Sequence, residues 1–236
     1  MYSYIRVIYK LIFEMVKSRT VQLIFQSIYI GIAIIAILAS LGLFEMTYRW
    51  DFYVHFTNLS NYLCAIFMFL ELRDTAKKNT DSFVTTFPVA KFVALLAILL
   101  TFIIYNFVLA PRRDIKESFV VSSVTLHIVL PLMFTFDYIL FYEHGKVKWY
   151  YPIVSTVFPL LYAAFIYVHA AVRNFDSSIY YPGRNDPFIY PYFFLNLDKY
   201  GVVGVIKNII IILIVFVAFG YVIVFIDKLF SNVRKR

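Results

Sequence analysis

The stretch VVGVIKNIIIILIVFVAFGYVIVFI, residues 202–226, contains a single charged side chain, that of Lys207. About 20 predominantly apolar residues in a helix cross the hydrocarbon core of a bilayer, so this stretch predicts a transmembrane helix. The whole chain of 236 residues has the same character, since 62% of it is hydrophobic, 15% is charged and its mean hydropathy is +0.78. Soluble domains average roughly 45–50% apolar and about 25% charged residues. The composition therefore predicts an integral membrane protein.

Five further apolar runs precede this one, and each is long enough for a span. The six predicted spans lie near 21–44, 52–70, 88–110, 119–142, 152–172 and 202–226. Together they predict an all-α fold, a six-transmembrane-helix bundle that forms one membrane domain over residues 21–230. Residues 1–20 mix basic with aromatic and aliphatic side chains, which favours an amphipathic helix along the membrane interface. Residues 231–236 form a basic tail.

The basic residues indicate an orientation. The formal net charge is +8, but the lysines and arginines flank the apolar runs, so we expect them to meet anionic lipid headgroups and not nucleic acid. With a cytoplasmic N-terminus, 14 of the 22 Lys and Arg residues lie on the cytoplasmic side and 8 on the other. Cytoplasmic loops carry the excess of basic residues. Both termini are therefore predicted to be cytoplasmic in a multi-pass protein of the cell membrane, with the Tyr-rich loop 173–201 facing outward as a lid.

Residues 51–64, DFYVHFTNLSNYLC, bring polar side chains to the start of the second predicted span. Thr57, Asn61 and Cys64 follow one another at i, i+4 and i+7, with Ser60 beside them, so they share one face of the helix. Polar side chains within a span face other helices and not lipid. Two interpretations remain open for this face: hydrogen bonds that join helices, which Ser, Thr and Asn often make in membranes, or a functional site.

The fourth predicted span contains His127 near its middle and Pro131 four residues later. Proline lacks the N–H that would bond the carbonyl of His127, so a kink and a free carbonyl are expected there. A lone buried histidine is often a structural residue. Beside a backbone opened by proline inside a membrane, it is also a candidate functional residue.

Depth in the membrane places Thr57 and His127 in one layer. The second and fourth spans enter from the same face, and these residues lie roughly 9 Å and 12 Å below it. Asn106, near the end of the third span, and His169, near the end of the fifth, surround the same layer. Asp137 lies ten residues beyond His127, or about 15 Å along the helix. We therefore expect Asp137 to pair with a polar neighbour deeper in the bundle.

A hydroxyl and an imidazole at one depth are the minimum for nucleophilic acyl transfer, because threonine needs an adjacent base and a neutral imidazole accepts its proton. We expect the Thr57 hydroxyl within about 5 Å of a nitrogen of His127. This chemistry requires no cofactor and no metal, and the single Cys64 excludes an internal disulfide and a cysteine-only metal site. The candidate substrate-binding or oxyanion donors, among which the sequence does not choose, are Asn58, Asn61, Asn106 and His169.

Four parts of the chain resemble the androgen-induced membrane protein family. They are HFTNLSNYLCAIF (55–67), IIYNFVLAPRRD (103–114), LHIVLPLMFTFDYILF (126–141), and YVHAAV with YPYFFLNLDKYG (167–172 and 190–201). The family comprises six-span membrane hydrolases that cleave fatty acid esters of hydroxy fatty acids, and this chain resembles its bacterial relatives of unassigned substrate. The family's nucleophile is a threonine in the second span and its base a histidine ahead of a leucine-proline pair in the fourth. The matching positions are Thr57 and His127.

The resemblance, which covers about residues 21–226, implies a threonine-dependent hydrolase of lipid metabolism that acts on a lipid ester and contacts membrane lipids. The chain departs from the animal enzymes in the Tyr-rich insert between His169 and Pro191 and in the Asn-rich context of Thr57, and both departures bear on the substrate. One alternative is a membrane lipid acyltransferase using the same cleft, with a second lipid replacing water or with Cys64 carrying the acyl group. Another is a non-enzymatic lipid-binding protein whose polar residues only join helices.

Overall fold

The computed structural model describes residues 18–46, 52–78, 86–112, 120–175 and 190–234, and over these ranges the chain is helical, without a strand. Six long helices follow one another. They are α1 Arg19–Ser40, α2 Phe56–Lys77, α3 Pro88–Ile103 with its π-helical continuation Ile104–Leu109, α4 Val121–Phe141, α5 Tyr151–Ser155 and Val157–Phe175, and α6 Leu197–Arg234. The predicted all-α fold is confirmed.

Five of these helices, α1, α3, α4, α5 and α6, are long and apolar enough to cross a membrane. Their outward sides carry large apolar side chains, such as Ile35 at 60% and Val203 at 82% exposure, in a density that soluble proteins rarely show. α2, with 22 residues, is also long enough to cross a membrane. It is not apolar enough, because its start is polar and the charged residues Glu71, Arg73 and Asp74 lie near its end. The architecture is compatible with a multi-pass membrane protein.

The helices begin and end close to the predicted spans, except that α2 and α6 extend further at their C-terminal ends. α2 was predicted to end at residue 70, and it continues to Lys77. Hydropathy falls after Leu70, but backbone hydrogen bonding in a helix does not depend on side-chain polarity, and both Glu71 and Thr75 are buried in the bundle.

The last helix extends beyond the span predicted for it. α6 reaches Arg234 and so includes most of the predicted basic tail, while Gly201 interrupts its helical geometry with φ 63° and ψ 173°. Because the interruption falls at this glycine, the straight part of α6 begins at Val202, as the hydropathy predicted. The predicted interfacial helix 1–20 lies outside the described residues except for its last three positions. Residues 176–189 of the predicted lid 173–201 lie outside them too.

α3 lies at the centre of the bundle. It contacts α2, α4, α5 and α6, while α1 packs against α2 and α4. Nearly all of its residues between Lys91 and Thr101 are buried. Gly220 permits the close approach of α6 to α5, since a Cβ at this position would lie only 2.7 Å from the Cβ of Pro152.

Polar side chains are buried at both ends of the bundle. One end, called the Thr57 end, contains Thr57 and His127 and is described below. At the other, called the Lys91 end, Lys91 Nζ contacts the carboxylates of Glu71 and Asp137, and Gln26 Nε2 donates to Asp137 Oδ1 at 3.2 Å. The prediction that Asp137 pairs with a polar neighbour away from His127 is confirmed.

Candidate active site

Thr57 occupies the second position of α2. The chain enters this helix through the 3-10 turn Phe52–Val54 and through His55, whose extended backbone (φ −87°, ψ 125°) precedes the first helical residue. Tyr162 of α5 holds the entry in place, because its hydroxyl donates to the carbonyl of Val54 at 2.8 Å. The beginning of α2 is therefore anchored to the bundle, and Thr57 is placed on its inner side at 9% exposure.

The Thr57 hydroxyl faces His127 of α4. Its Oγ1 lies 3.3 Å from Nε2 of the imidazole. The prediction that the two groups lie within about 5 Å is confirmed. The separation is at the long end of the range for a hydrogen bond, as is common between a nucleophile and a base in an unliganded site.

Pro131 opens the backbone of α4 next to His127. Residues Thr125–Val129 form a π-helical turn, in which the N–H of Leu130 bonds the carbonyl of Thr125. The next residue in the chain is Pro131, which has no N–H to give to the carbonyls of residues 126 and 127. A disturbed helix and free carbonyls at the histidine were predicted from this proline, and a π-helical turn is the form the disturbance takes.

Two asparagines satisfy these carbonyls. Asn61 Nδ2 of α2 donates to Leu126 O at 3.1 Å and to Thr57 O at 2.8 Å. Asn106 Nδ2 of α3 donates to His127 O at 3.3 Å and to Phe102 O at 2.8 Å. The hydrogen bonds join α2 and α3 to the opened turn of α4 and so position the backbone that carries the imidazole.

The environment of His127 selects the tautomer that accepts a proton from Thr57. Its Nδ1 lies 2.8 Å from the carbonyl oxygen of Ser123, one turn earlier in α4. A carbonyl only accepts hydrogen bonds, so Nδ1 carries the hydrogen, and in the neutral ring Nε2 presents its lone pair to Thr57. The ring of Tyr105 stacks on the imidazole with centroids 3.4 Å apart and planes at 12°, and its hydroxyl bonds Ser123 Oγ at 2.5 Å.

The asparagine contacts change the assignment of oxyanion donors. Both amide hydrogens of Asn61 and both of Asn106 are engaged with backbone carbonyls, so neither side chain has one left for an oxyanion. Asn58 uses one hydrogen on Phe52 O at 2.7 Å and keeps one. The N–H of Thr57 itself lies in the first turn of α2, where no acceptor exists within the helix, and it is a further donor at the positive end of that helix.

His169 does not join this group. Its Nε2 lies 3.4 Å from the hydroxyl of Tyr53, and its ring packs against Tyr53 and Phe165. These residues form an aromatic cluster outside the wall of the cleft described next. The structure therefore places His169 beside Tyr53 and Phe165 and not in the wall of the cleft that Thr57 lines, because depth along a helix does not report which way the helix face is turned.

An apolar cleft leads to Thr57. Its walls come from the start of α2, the end of α3, the middle of α5 and α6, and the segment 190–195. Thr57 and Tyr105 are the wall residues that touch His127. The other wall residues are mainly apolar: Phe56, Leu100, Thr101, Ile104, Leu109, Pro159, Tyr162, Ala163, Tyr192, Phe194, Leu195, Ile209, Ile212 and Leu213.

Comparisons with known proteins give no match to a family model, a curated protein or a solved structure. The site is therefore interpreted from its own geometry. Within the described ranges, no group of three or more His, Cys, Asp and Glu side chains is arranged to hold a metal ion. Sequence analysis did not identify Ser123 and Tyr105 as residues of the site. Ser123 lies four residues before His127 on the same helix, and this spacing could have indicated that the two residues are neighbours.

Proposed function

We propose that this protein is an intramembrane hydrolase of lipid (fatty acyl) esters, with Thr57 as nucleophile and His127 as general base. The observation that carries the proposal is the hydroxyl–imidazole contact of 3.3 Å beside a cleft with an apolar wall. A nucleophile, a base and a group that orients the base form the arrangement common to serine, cysteine and threonine acyl-transfer enzymes. Here the Ser123 carbonyl takes the orienting role.

The chemistry proceeds in two steps on this geometry. His127 Nε2 takes the hydroxyl proton of Thr57 while Oγ1 attacks the ester carbonyl, and the resulting oxyanion meets the N–H of Thr57 and the remaining amide hydrogen of Asn58. The ester C–O bond breaks as the imidazolium returns its proton to the departing alcohol. Water then attacks the acyl-threonine with His127 again as base, which releases a fatty acid and restores the hydroxyl.

The cleft fits the acyl chain of such a substrate. Its wall is almost entirely apolar apart from the hydroxyls of threonine and tyrosine, which suits a hydrocarbon chain with one polar function at the Thr57 end. Tyr192, Phe194 and Leu195, which follow the Tyr-rich insert, cover part of it.

The alternative functions receive less support from the same observations. A non-enzymatic lipid-binding protein would also have an apolar cleft, but it has no need of an imidazole placed against the Thr57 hydroxyl at the wall of that cleft. Cys64 is unsuited to carry an acyl group, because it is fully buried, bonds Ala94 O at 3.5 Å and does not line the cleft. An acyltransferase remains the second candidate, since the apolar wall around Thr57 favours a lipid alcohol over water as the acyl acceptor.

The test is turnover of a panel of esters by the purified protein in lipid nanodiscs. We expect fatty acid release from esters of hydroxy fatty acids, and little from short water-soluble esters, because a long chain makes more contact with the apolar wall of the cleft than a short one. Adding a lipid alcohol distinguishes the second candidate, since an acyltransferase would form a new ester in place of the free acid. Failure to cleave any long-chain ester would contradict the hydrolase proposal.

We also propose six spans in the cell membrane, with α2 crossing as a helix shielded by its neighbours and with both termini cytoplasmic. In a Cys64→Ala background, an impermeant thiol reagent applied to intact cells should label Ser178→Cys but not Lys78→Cys. The reason is the excess of basic residues on the side of the N-terminus. Labelling of Lys78→Cys in intact cells would show that the orientation is the opposite one. Labelling of both cysteines after permeabilisation is the control that the reagent can reach them.

A further inference from the structure

The Lys91 end of the bundle buries three charged side chains. Lys91 of α3 contacts Glu71 Oε2 of α2 and Asp137 Oδ2 of α4, and each of the three side chains is at most 3% exposed. Gln26 of α1 donates to the second oxygen of Asp137. Four helices therefore converge on one ammonium group and two carboxyl groups, which lie about 15 Å along α4 from His127.

The charges of this cluster do not balance. One lysine and two ionised carboxylates leave one negative charge in the interior, where an uncompensated charge is strongly unfavourable. No other cationic side chain among the described residues is within ion-pair distance of Glu71 or Asp137. A cation taken up from outside the protein would restore neutrality.

The unpaired oxygens indicate where this cation sits. Both oxygens of Asp137 have donors, one from Lys91 and one from Gln26. Glu71 Oε1, in contrast, is buried without a hydrogen-bond partner among the described residues, and so is Gln26 Oε1. A proton on Glu71 Oε1 neutralises the cluster and turns this oxygen into a donor, for which the amide oxygen of Gln26 is an acceptor in the same cluster.

We propose that the Lys91 end is a binding site for one exchangeable proton, held by Glu71 and shared electrostatically with Asp137 and Lys91. Further buried polar atoms without a partner, Gln22 Nε2 and Thr75 Oγ1, lie one helical turn nearer to the end of the bundle. Arg19 donates to the carbonyl of Thr75 at 2.9 Å at that end. Polar atoms of this kind hold water in protein interiors, and such waters would let the proton exchange between Glu71 and the surface.

The other ionisable groups near Glu71 do not replace this proton. Asp74, on the same helix, is paired with Arg73 and Thr86 and adds negative charge. Tyr142 follows α4 and lies close enough for its phenol to interact with Glu71. Tyr29 of α1 is near Asp137. None of these side chains carries a positive charge, so Lys91 is the cation that compensates the negative charge of both carboxyl groups.

Infrared spectroscopy of the full-length protein in nanodiscs tests the proposal without any substrate. The neutral-pH spectrum should contain a carboxylic-acid C=O band that shifts in heavy water, because the proton exchanges. Glu71→Gln and Asp137→Asn should each remove it, since either variant leaves one carboxylate for one lysine. Lys91→Met should add a second protonated acid to the band, and Glu143→Gln, at an exposed carboxylate paired with Lys146, should leave the band unchanged.

Two results would overturn the proposal. A band that is absent from the wild type, or that survives in both folded variants Glu71→Gln and Asp137→Asn, shows that the cluster holds no proton. A band that appears only when choline replaces sodium in the buffer shows that a metal cation neutralises the cluster. The site is independent of Thr57, so ester turnover need not change in Glu71→Gln, and failure of the hydrolase proposal leaves this one standing.

Discussion

Thr57→Val should abolish covalent labelling of the protein by a fluorophosphonate probe, while Thr135→Val should label like the wild type. The probe reacts with an oxygen activated by a base, and Thr57 Oγ1 lies 3.3 Å from the lone pair of His127 Nε2. Thr135 is a matched control, because its hydroxyl lies on the same helix as His127 but bonds only the carbonyl of Pro131 at 2.8 Å. Valine preserves the shape of threonine and removes the oxygen.

The dependence on the base sharpens this labelling test. His127→Ala should lower the labelling rate by about 10²–10⁴-fold, the usual contribution of a general base. Labelling of the wild type should rise with pH as the imidazolium loses its proton, since only the neutral ring accepts one from Thr57. Thr57→Ser should keep part of the labelling. An adduct mapped by mass spectrometry to Cys64 or to a tyrosine would assign the nucleophile to another residue.

The second large effect concerns turnover of the best ester from the panel. Thr57→Val and His127→Ala should each reduce the rate constant to the background, and the double variant should be little worse than either single one. The two residues serve one chemical step, and the effects of groups that act as a unit are strongly non-additive. Multiplicative losses would show that the two residues act separately.

Folding must be intact for this comparison. Thr57→Val removes one hydrogen bond, which costs about 0.5–1.5 kcal/mol of stability, so the variant should purify as a folded protein with a melting temperature near that of the wild type. Ester turnover by a folded Thr57→Val protein would make the threonine an ordinary residue between helices. The hydrolase proposal would then need another nucleophile.

The pairing of Thr57 with His127 could be predicted from the sequence, because the number of residues between each of them and the start of its predicted span can be counted. A helix rises by about 1.5 Å per residue, so residue counts convert directly into depth. The disturbed hydrogen bonding of α4 could also be predicted from the sequence, since proline has no N–H in any fold and Pro131 therefore cannot donate to an earlier carbonyl. Neither inference needed to know how the helices are rotated against one another.

Other parts of the site depend on that rotation. Asn61, Asn106 and His169 were grouped by depth as possible donors, but two of them bond opened carbonyls and the third faces Tyr53. A helix presents a different side chain every 100° of turn, and a single π-helical turn shifts every later residue on the helix. Spacing therefore places these residues in a layer without assigning their partners.

The sequence by itself determined the all-α class, the positions of the apolar helices and the common layer of the bundle in which Thr57 and His127 lie, because each follows from local hydropathy or from the fixed rise of a helix. Only the tertiary structure decided that Ser123 and Tyr105 orient the imidazole and that Lys91 meets two carboxyl groups. These contacts join residues of different helices or different turns. Their formation depends on how side chains fill the space between helices, which no single segment specifies.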